Sequence, residues 1–373
     1  MSTDKKKNLG QFYTTNYNYI FQNLHIDENI TSIIEPFAGK GDLLKFFNKN
    51  EYITEAYDID PKIETIIKQD TLINKPIYKN KFVITNPPYL ARNKSNNKEL
   101  YDKFKTNDLY KCFLEQIIED SPYGGIIIVP LNFWCSIRKN DIDLRKRFLN
   151  IFDIIQLNIF EEKVFDDTKY SVSSFQFRLK TELNSNSNSN SSSKNHSIKI
   201  TIYPQKQNIE TILHEGNNFL FGGEIYKLKQ QKNIKIERIT NLNKNKNSLF
   251  NTNILLKCID DSDKSKLGLS YIEDTKKEKY IDNTPNLTGR SYALLIINLE
   301  LTKEKQLDLI HKFNSYINDL RNKYNSLFLT NYRESNTIAR KRISFSLAFE
   351  IINYLLDNKS NLDEKSSILP TNT

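Results

Sequence analysis

Three short apolar runs in the first quarter of the chain each break at a turn that fixes where a strand must end. This constrains the fold more than any other feature of the sequence. Ile33-Ile34-Glu35 runs into Pro36-Phe37-Ala38-Gly39-Lys40-Gly41, Thr54 to Tyr57 stops at Asp58, and Phe82 to Thr85 runs straight into Asn86-Pro87-Pro88-Tyr89. Between and beyond these runs lie an amphipathic stretch, Asp42 to Asn50, and helical periodicity over Leu109 to Ile118 and Leu144 to Leu149. Gly124-Gly125 opens a further buried strand, Ile126 to Val129, and β-rich segments follow at Ile151 to Phe160 and Tyr170 to Leu179. Apolar strands alternating with amphipathic helices predict an α/β domain whose parallel sheet is covered on both faces.

The turns carry the chemistry. Glycine directly after a buried strand lets the backbone turn tightly and approach a ligand, at the carboxyl edge where open α/β sheets bind cofactors. Alone, the Pro36 to Gly41 turn is as well explained by structure. The second strand ends in Asp58-Ile59-Asp60, where an acid can accept from both ribose hydroxyls of an adenosine cofactor. Asp60, just before Pro61, also reads as a helix N-cap. A third acid, Asp70, follows in position to meet an adenine amino group. In the Asn86 to Tyr89 turn, two prolines stiffen the backbone and remove donors, leaving carbonyls pointing forward. An amide side chain beside such a carbonyl offers two acceptors to one NH2 group, and Tyr89 offers a flat face to a base.

Composition limits the alternatives. With 373 residues the chain is long enough for two domains, and an aromatic content of 12% supports a core despite only 38% hydrophobic residues. No run of about 18 apolar residues suggests a membrane span, and the polar, basic Met1 to Lys7 is unlike a signal peptide. Three scattered cysteines, Cys112, Cys135 and Cys258, form neither a zinc spacing nor a disulfide framework. The expected setting is therefore intracellular and cytoplasmic, with no metal. A net charge of +9 suits a polyanion partner such as nucleic acid. The abundance of Lys, Asn and Ile fits an AT-rich genome.

On these motifs the chain resembles the gamma group of N6-adenine DNA methyltransferases over roughly residues 7 to 180. That group opens with a GQFYTP-like segment wrapping the methionine part of S-adenosyl-L-methionine; here Gly10-Gln11-Phe12-Tyr13-Thr14-Thr15 stands in its place, with Thr15 replacing the proline. The resemblance implies a Rossmann-like methyltransferase sheet, with S-adenosyl-L-methionine held by Tyr13, Thr14, Glu35, Phe37, Gly39, Gly41, Asp58, Asp70 and Asn86. It places catalysis at Asn86, Pro87 and Tyr89. It also assigns Phe165, with Tyr170 as fallback, as the aromatic that sandwiches a flipped base; a core aromatic is the other reading of Phe165. The implied reaction is methyl transfer to adenine N6 in double-stranded DNA, the base being extruded from the duplex.

The run Asn184 to Ser193 contains no apolar residue and reads as a loop decorating a hairpin between Tyr170 to Leu179 and Ser197 to Tyr203. A boundary is expected near residue 205. It divides a catalytic domain, 1–205, from a mixed α+β target-recognition domain, 206–356, with helices at Lys303 to Tyr324 and Phe345 to Leu356 and a polar tail, 357–373. Between residues 321 and 342 six cations face one acid. Arg333, Arg340, Lys341 and Arg342 are the candidate phosphate contacts, a solvated basic face being the other reading. The expected assembly is a monomer, with any cognate restriction endonuclease acting separately. Related readings stay open: transfer to RNA adenine, to cytosine N4 or to protein glutamine, and a catalytically inactive DNA-binding relative.

Overall fold

The computed structural model describes residues 10, 14–165, 171–181, 195–229, 234–246, 248–260, 266–281, 291–331 and 341–357. Tyr13, Tyr170, Arg333, Arg340, the Asn/Ser run 184–193 and the tail from 358 lie outside the described residues. The chain divides into two units, one running through Phe221 and the other beginning at Gly222.

In chain order the first unit holds β1 (Ser32–Glu35), β2 (Ile53–Asp58), β3 (Ile67–Lys68), β4 (Phe82–Thr85), β5 (Gly124–Pro130), β6 (Phe152–Phe160), β7 (Val172–Leu179), β8 (His196–Tyr203) and β9 (Gln207–Leu213). They form one sheet in the order β3-β2-β1-β4-β5-β7-β6-β8-β9. From β3 to β5 every pairing is parallel; β7 then inserts antiparallel between β5 and β6. The helices are α1 (Tyr17–Ile20), α2 (Glu99–Phe104), α3 (Leu109–Asp120), α4 (Asn132–Cys135) and α5 (Lys139–Ile151). The four expected apolar strands (β1, β2, β4 and β5), the three expected β-rich segments (β6, β7 and β8) and the two expected helices are present. The Asp42 to Asn50 stretch instead forms two short 3-10 turns, because the Asn48 side chain accepts from the Asn50 N–H and starts the second one.

Two expectations about the end of this unit are corrected. Strand β9 joins the sheet beside β8, so the unit extends past the expected boundary at residue 205 to Phe221. The Asn/Ser run does not join a hairpin, since its flanking strands β7 and β8 are separated by β6, which pairs with both.

The core is aromatic at one end. Trp134, Phe148, Phe152, Phe175 and Phe177 are fully buried and meet edge to face or tilted at centroid separations near 5 Å, for example 5.3 Å between Trp134 and Phe175. Such pairs contribute about 0.5–1.5 kcal/mol each beyond area burial. Beneath them Arg145 is wholly buried, donating to the carbonyls of Phe133 (2.6 Å), Ser136 (2.8 Å) and Phe219 (3.0 Å). Burial lowers its pKa to about 10, still well above neutral, so it keeps its charge. That guanidinium pins the segment after α4 to the end of the unit.

The second unit is a separate α+β body. Its strands β10 (Ile236–Arg238), β11 (Phe250–Lys257), β13 (Gly268–Tyr271) and β14 (Tyr292–Ile297) form an antiparallel sheet ordered β10-β14-β11-β13. A smaller sheet orders β12 (Ile259–Asp260), β16 (Lys341–Arg342) and β15 (Thr330–Asn331) as β12-β16-β15. Helices α6 (Lys303–Tyr324) and α7 (Phe345–Asp357) lie where the periodicity places them. The basic run is not a uniformly solvated face. Lys341 is only 4% exposed, because β16 is the middle strand of its sheet. Arg321 is held by Asp260 at 2.8 Å. Among the described residues, no helix is long and apolar enough to cross a membrane.

Gly125 marks the tightest packing in the large sheet. A Cβ there would sit 2.3 Å from the Val83 carbonyl oxygen and 2.9 Å from the Phe177 ring. Neither can yield without moving a central strand. We expect Gly125→Ala to cost about 3 kcal/mol, the upper end for overpacking. That corresponds to a fall of roughly 6–12 °C in the midpoint of calorimetric unfolding; an unchanged midpoint would show that the strands can part.

Candidate active site

The parallel strands β1, β2 and β4 lie side by side and point the same way, so the turns that follow them collect at one edge of the sheet. There they surround a cavity of about 260 Å³, a little below the usual range for small-molecule sites, about 300–1,000 Å³. Phe37 and Gly39 come from the first turn, Asp58 and Ile59 from the second, and Asn86 and Pro88 from the third. The segment from Gln69 to Ile73 forms one wall, and Leu90, Leu100, Tyr101 and Leu109 another. A smaller hollow shares Phe37, Gly39 and Asn86 and adds Thr14, Glu35 and Asp42.

Asp58 organises the first two turns. It is buried, and its carboxylate accepts from the Gly39 N–H at 2.8 Å and from the Asp60 N–H at 2.7 Å. The glycine turn is thereby fastened to the end of β2. Asp70 turns its own loop, accepting from the Leu72 N–H at 3.1 Å. That loop is anchored from behind: the Thr71 hydroxyl donates to the Pro36 carbonyl at 2.9 Å and the Gln116 amide to the Leu72 carbonyl at 2.9 Å.

At the third turn the Asn86 amide is engaged at both ends. Its NH2 donates to the Thr14 hydroxyl at 3.0 Å, and its oxygen accepts from the Tyr89 hydroxyl at 2.5 Å. The same Tyr89 hydroxyl lies 3.0 Å from the Ile128 carbonyl. Gly10 approaches from the other side. Its carbonyl accepts from the Tyr89 N–H at 2.9 Å, its φ is +67°, and a Cβ on it would lie 2.8 Å from the Tyr89 carbonyl group. No side chain fits between these backbones, hence glycine.

The structure brings Thr14, Glu35, Phe37, Gly39, Asp58, Asp70 and Asn86 to one place. It does not place Tyr89 or Phe165 on the cavity wall: both rings are 3% exposed, and Tyr89 packs edge-on against Tyr110. The Pro87 ring is buried as well. Sequence reasoning missed Asp42, Ile59, Ile73 and the wall from Leu90 to Leu109. Leu100 and Tyr101 belong to the six-residue helix α2, too short for its periodicity to stand out.

The pocket suits an adenosine-like ligand. Two acids stand near a slot of apolar walls, and Ile59 and Ile73 remain 39% and 64% exposed at the cavity. Large apolar side chains left bare beside a concave polar site mark a surface that a flat ligand covers. A mostly parallel sheet of this order, with a glycine turn after β1 and an acid at the end of β2, puts the cavity at the carboxyl edge where open α/β sheets bind their cofactors.

Residues 6–165 match the family described as Eco57I restriction-modification methylase. Among curated proteins none matches the sequence. Among solved structures, a modification subunit of a putative type I restriction enzyme from Vibrio vulnificus YJ016 is similar at 13% identity, covering 53% of this chain and 48% of its own, with a TM-score of 0.38. A putative class I S-adenosylmethionine-dependent methyltransferase from Listeria monocytogenes is similar at 13% identity, over 50% of this chain and 62% of its own, with a TM-score of 0.37. The M protein of the type I restriction enzyme EcoKI is similar at 15% identity, over 52% of this chain and 49% of its own, with a TM-score of 0.37.

On the expectation that Asp58 accepts from a cofactor ribose, removal of its carboxylate takes away that contact and the tether on Gly39 together. We expect Asp58→Ala to weaken S-adenosyl-L-methionine binding by about 1.5–3 kcal/mol, the range for one hydrogen bond to a charged group. Titration calorimetry measures this directly, and unchanged affinity would transfer the ribose contact to Asp60.

Proposed function

We propose that the protein is a DNA methyltransferase of a restriction-modification system, acting on the N6 amino group of an adenine turned out of the duplex. The observation that carries this reading is the position of Asn86. It stands where the main cavity and the hollow beside Thr14 and Glu35 adjoin, with its amide fixed at both ends. When bound, S-adenosyl-L-methionine supplies an electrophilic methyl group on a sulfonium. Asp58 and Asp70 are the residues to hold its adenosine part, and Glu35 and Thr14 line the space for its methionine part.

The amino nitrogen of adenine is a poor nucleophile because its lone pair is delocalised into the ring. On this reading the Asn86 Oδ1 and the Pro87 carbonyl accept its two hydrogens, which draws the lone pair back onto nitrogen. Orientation then lowers the barrier without a covalent intermediate. The stacking roles expected of Tyr89 and Phe165 find no support in their buried positions, so the reading rests on Asn86 and not on those rings. We assign DNA target recognition to the second unit. With Lys341 buried and Arg321 paired, its phosphate contacts rest on other cations than those two. A cognate endonuclease acting separately, and a monomeric enzyme, complete the proposal.

Asn86→Ala removes the acceptor and leaves the cofactor pocket in place. We expect methyl transfer to duplex DNA to fall below detection in a tritiated-methyl assay, with S-adenosyl-L-methionine affinity within about threefold of wild type. Single-molecule sequencing of DNA from cells expressing the wild-type protein reads the modified base. N4-methylcytosine there, or label found only in RNA or protein, would sink the adenine reading.

A further inference from the structure

An amide is useful to a substrate NH2 only if its oxygen, not its nitrogen, faces the substrate. The two ends of an asparagine side chain are nearly identical in shape, so only hydrogen-bond partners decide which way it turns. In this protein one partner is the Thr14 hydroxyl, 4% exposed and 3.0 Å from the Asn86 Nδ2. The other is the Tyr89 hydroxyl, 2.5 Å from Oδ1. Gly10 ties the same N-terminal segment to the same turn through the Tyr89 N–H.

Resting on the amino-methylating reading above, we propose that Thr14 is a positioning residue for Asn86: its hydroxyl holds the amide nitrogen away, so that Oδ1 is the end offered to the target amino group. The sequence resemblance gives Thr14 a cofactor role only; the contact with Asn86 gives it a second one.

Tyr89 completes the device. A phenol carries one proton, and two acceptors lie within reach of it, Asn86 Oδ1 at 2.5 Å and the Ile128 carbonyl at 3.0 Å. When an amino hydrogen arrives at Oδ1, the Tyr89 O–H keeps its proton and turns its hydrogen bond to the Ile128 carbonyl. The Thr14 end makes no such exchange, so its bond to the amide nitrogen persists while the base enters.

The variants are Thr14→Val, which keeps the shape and loses the hydroxyl, and Thr14→Ser, which keeps the hydroxyl. The rate of methyl transfer to duplex DNA is measured in a single turnover at saturating S-adenosyl-L-methionine, with cofactor affinity measured separately by calorimetry. Loss of one neutral hydrogen bond corresponds to roughly a threefold to tenfold change. Thr14→Val is expected to slow the saturated rate by about that factor, and Thr14→Ser to restore most of it. A saturated Thr14→Val rate equal to wild type, with any loss confined to cofactor affinity, overturns the positioning role and leaves Thr14 as a cofactor contact. Equal slowing in both variants, accompanied by a lower unfolding midpoint, also overturns it in favour of a packing role. Asn86→Ala separates the two claims: an inactive Asn86→Ala beside a fully active Thr14→Val removes only the clamp. Turnover retained in Asn86→Ala removes the reading on which the clamp rests.

Discussion

The burial of β4 is the constraint on which the rest of the site depends. All four residues, Phe82, Val83, Ile84 and Thr85, are fully buried, with β1 paired on one side and β5 on the other. A strand held by ladders at both edges and by packing on both faces can neither slide nor tilt, so the residue after it has little choice of position. Asn86 is that residue. The prolines that follow prevent the strand from continuing, and Gly125 lets β5 approach closely enough to seal the far edge. The geometry of a small polar turn is therefore set by apolar packing several residues away.

The N-terminal segment and the second acid refine what β4 sets up. Asp58 fastens the glycine turn of β1 to the end of β2, so those two strand ends cannot drift apart. Thr14 and Gly10 meet the third turn from outside the sheet. Three separate stretches of sequence thus meet at Asn86, each fixed by hydrogen bonds whose partners lie far apart along the chain.

What could be read from the sequence was what local pattern decides. Strands β1, β2, β4 and β5 are short apolar runs closed by distinctive turns, and they lie where the pattern puts them. Helices α6 and α7 carry a clean 3.6-residue period. What the sequence hid depends on pairing at a distance. Strand β3 is two residues long and exists only because β2 lies beside it. Lys341 reads as one cation in a basic run, yet β12 and β15 flank its strand and bury it. Arg321 looks solvated until Asp260, 61 residues earlier, is found against it. The assembly of Asp58, Asp70 and Asn86 around one cavity was legible, because all three follow strands of a parallel sheet and such turns share an edge. The inward turn of Tyr89 was not, since an exposed and a buried tyrosine have the same neighbours in sequence.

The bare isoleucines beside the cavity have a thermodynamic consequence. Ile59 and Ile73 stand 39% and 64% exposed on either side of the slot, while the acids between them are already engaged with backbone N–H groups. A cofactor that covers those side chains withdraws apolar surface from water, and the heat capacity of the complex then falls below that of its separated parts. Binding becomes more exothermic with each degree of warming, independently of how many hydrogen bonds form. Through mass action the same contact raises the melting temperature of the first unit with cofactor concentration. Calorimetric curvature is thus a property built into two side chains that take no part in the chemistry.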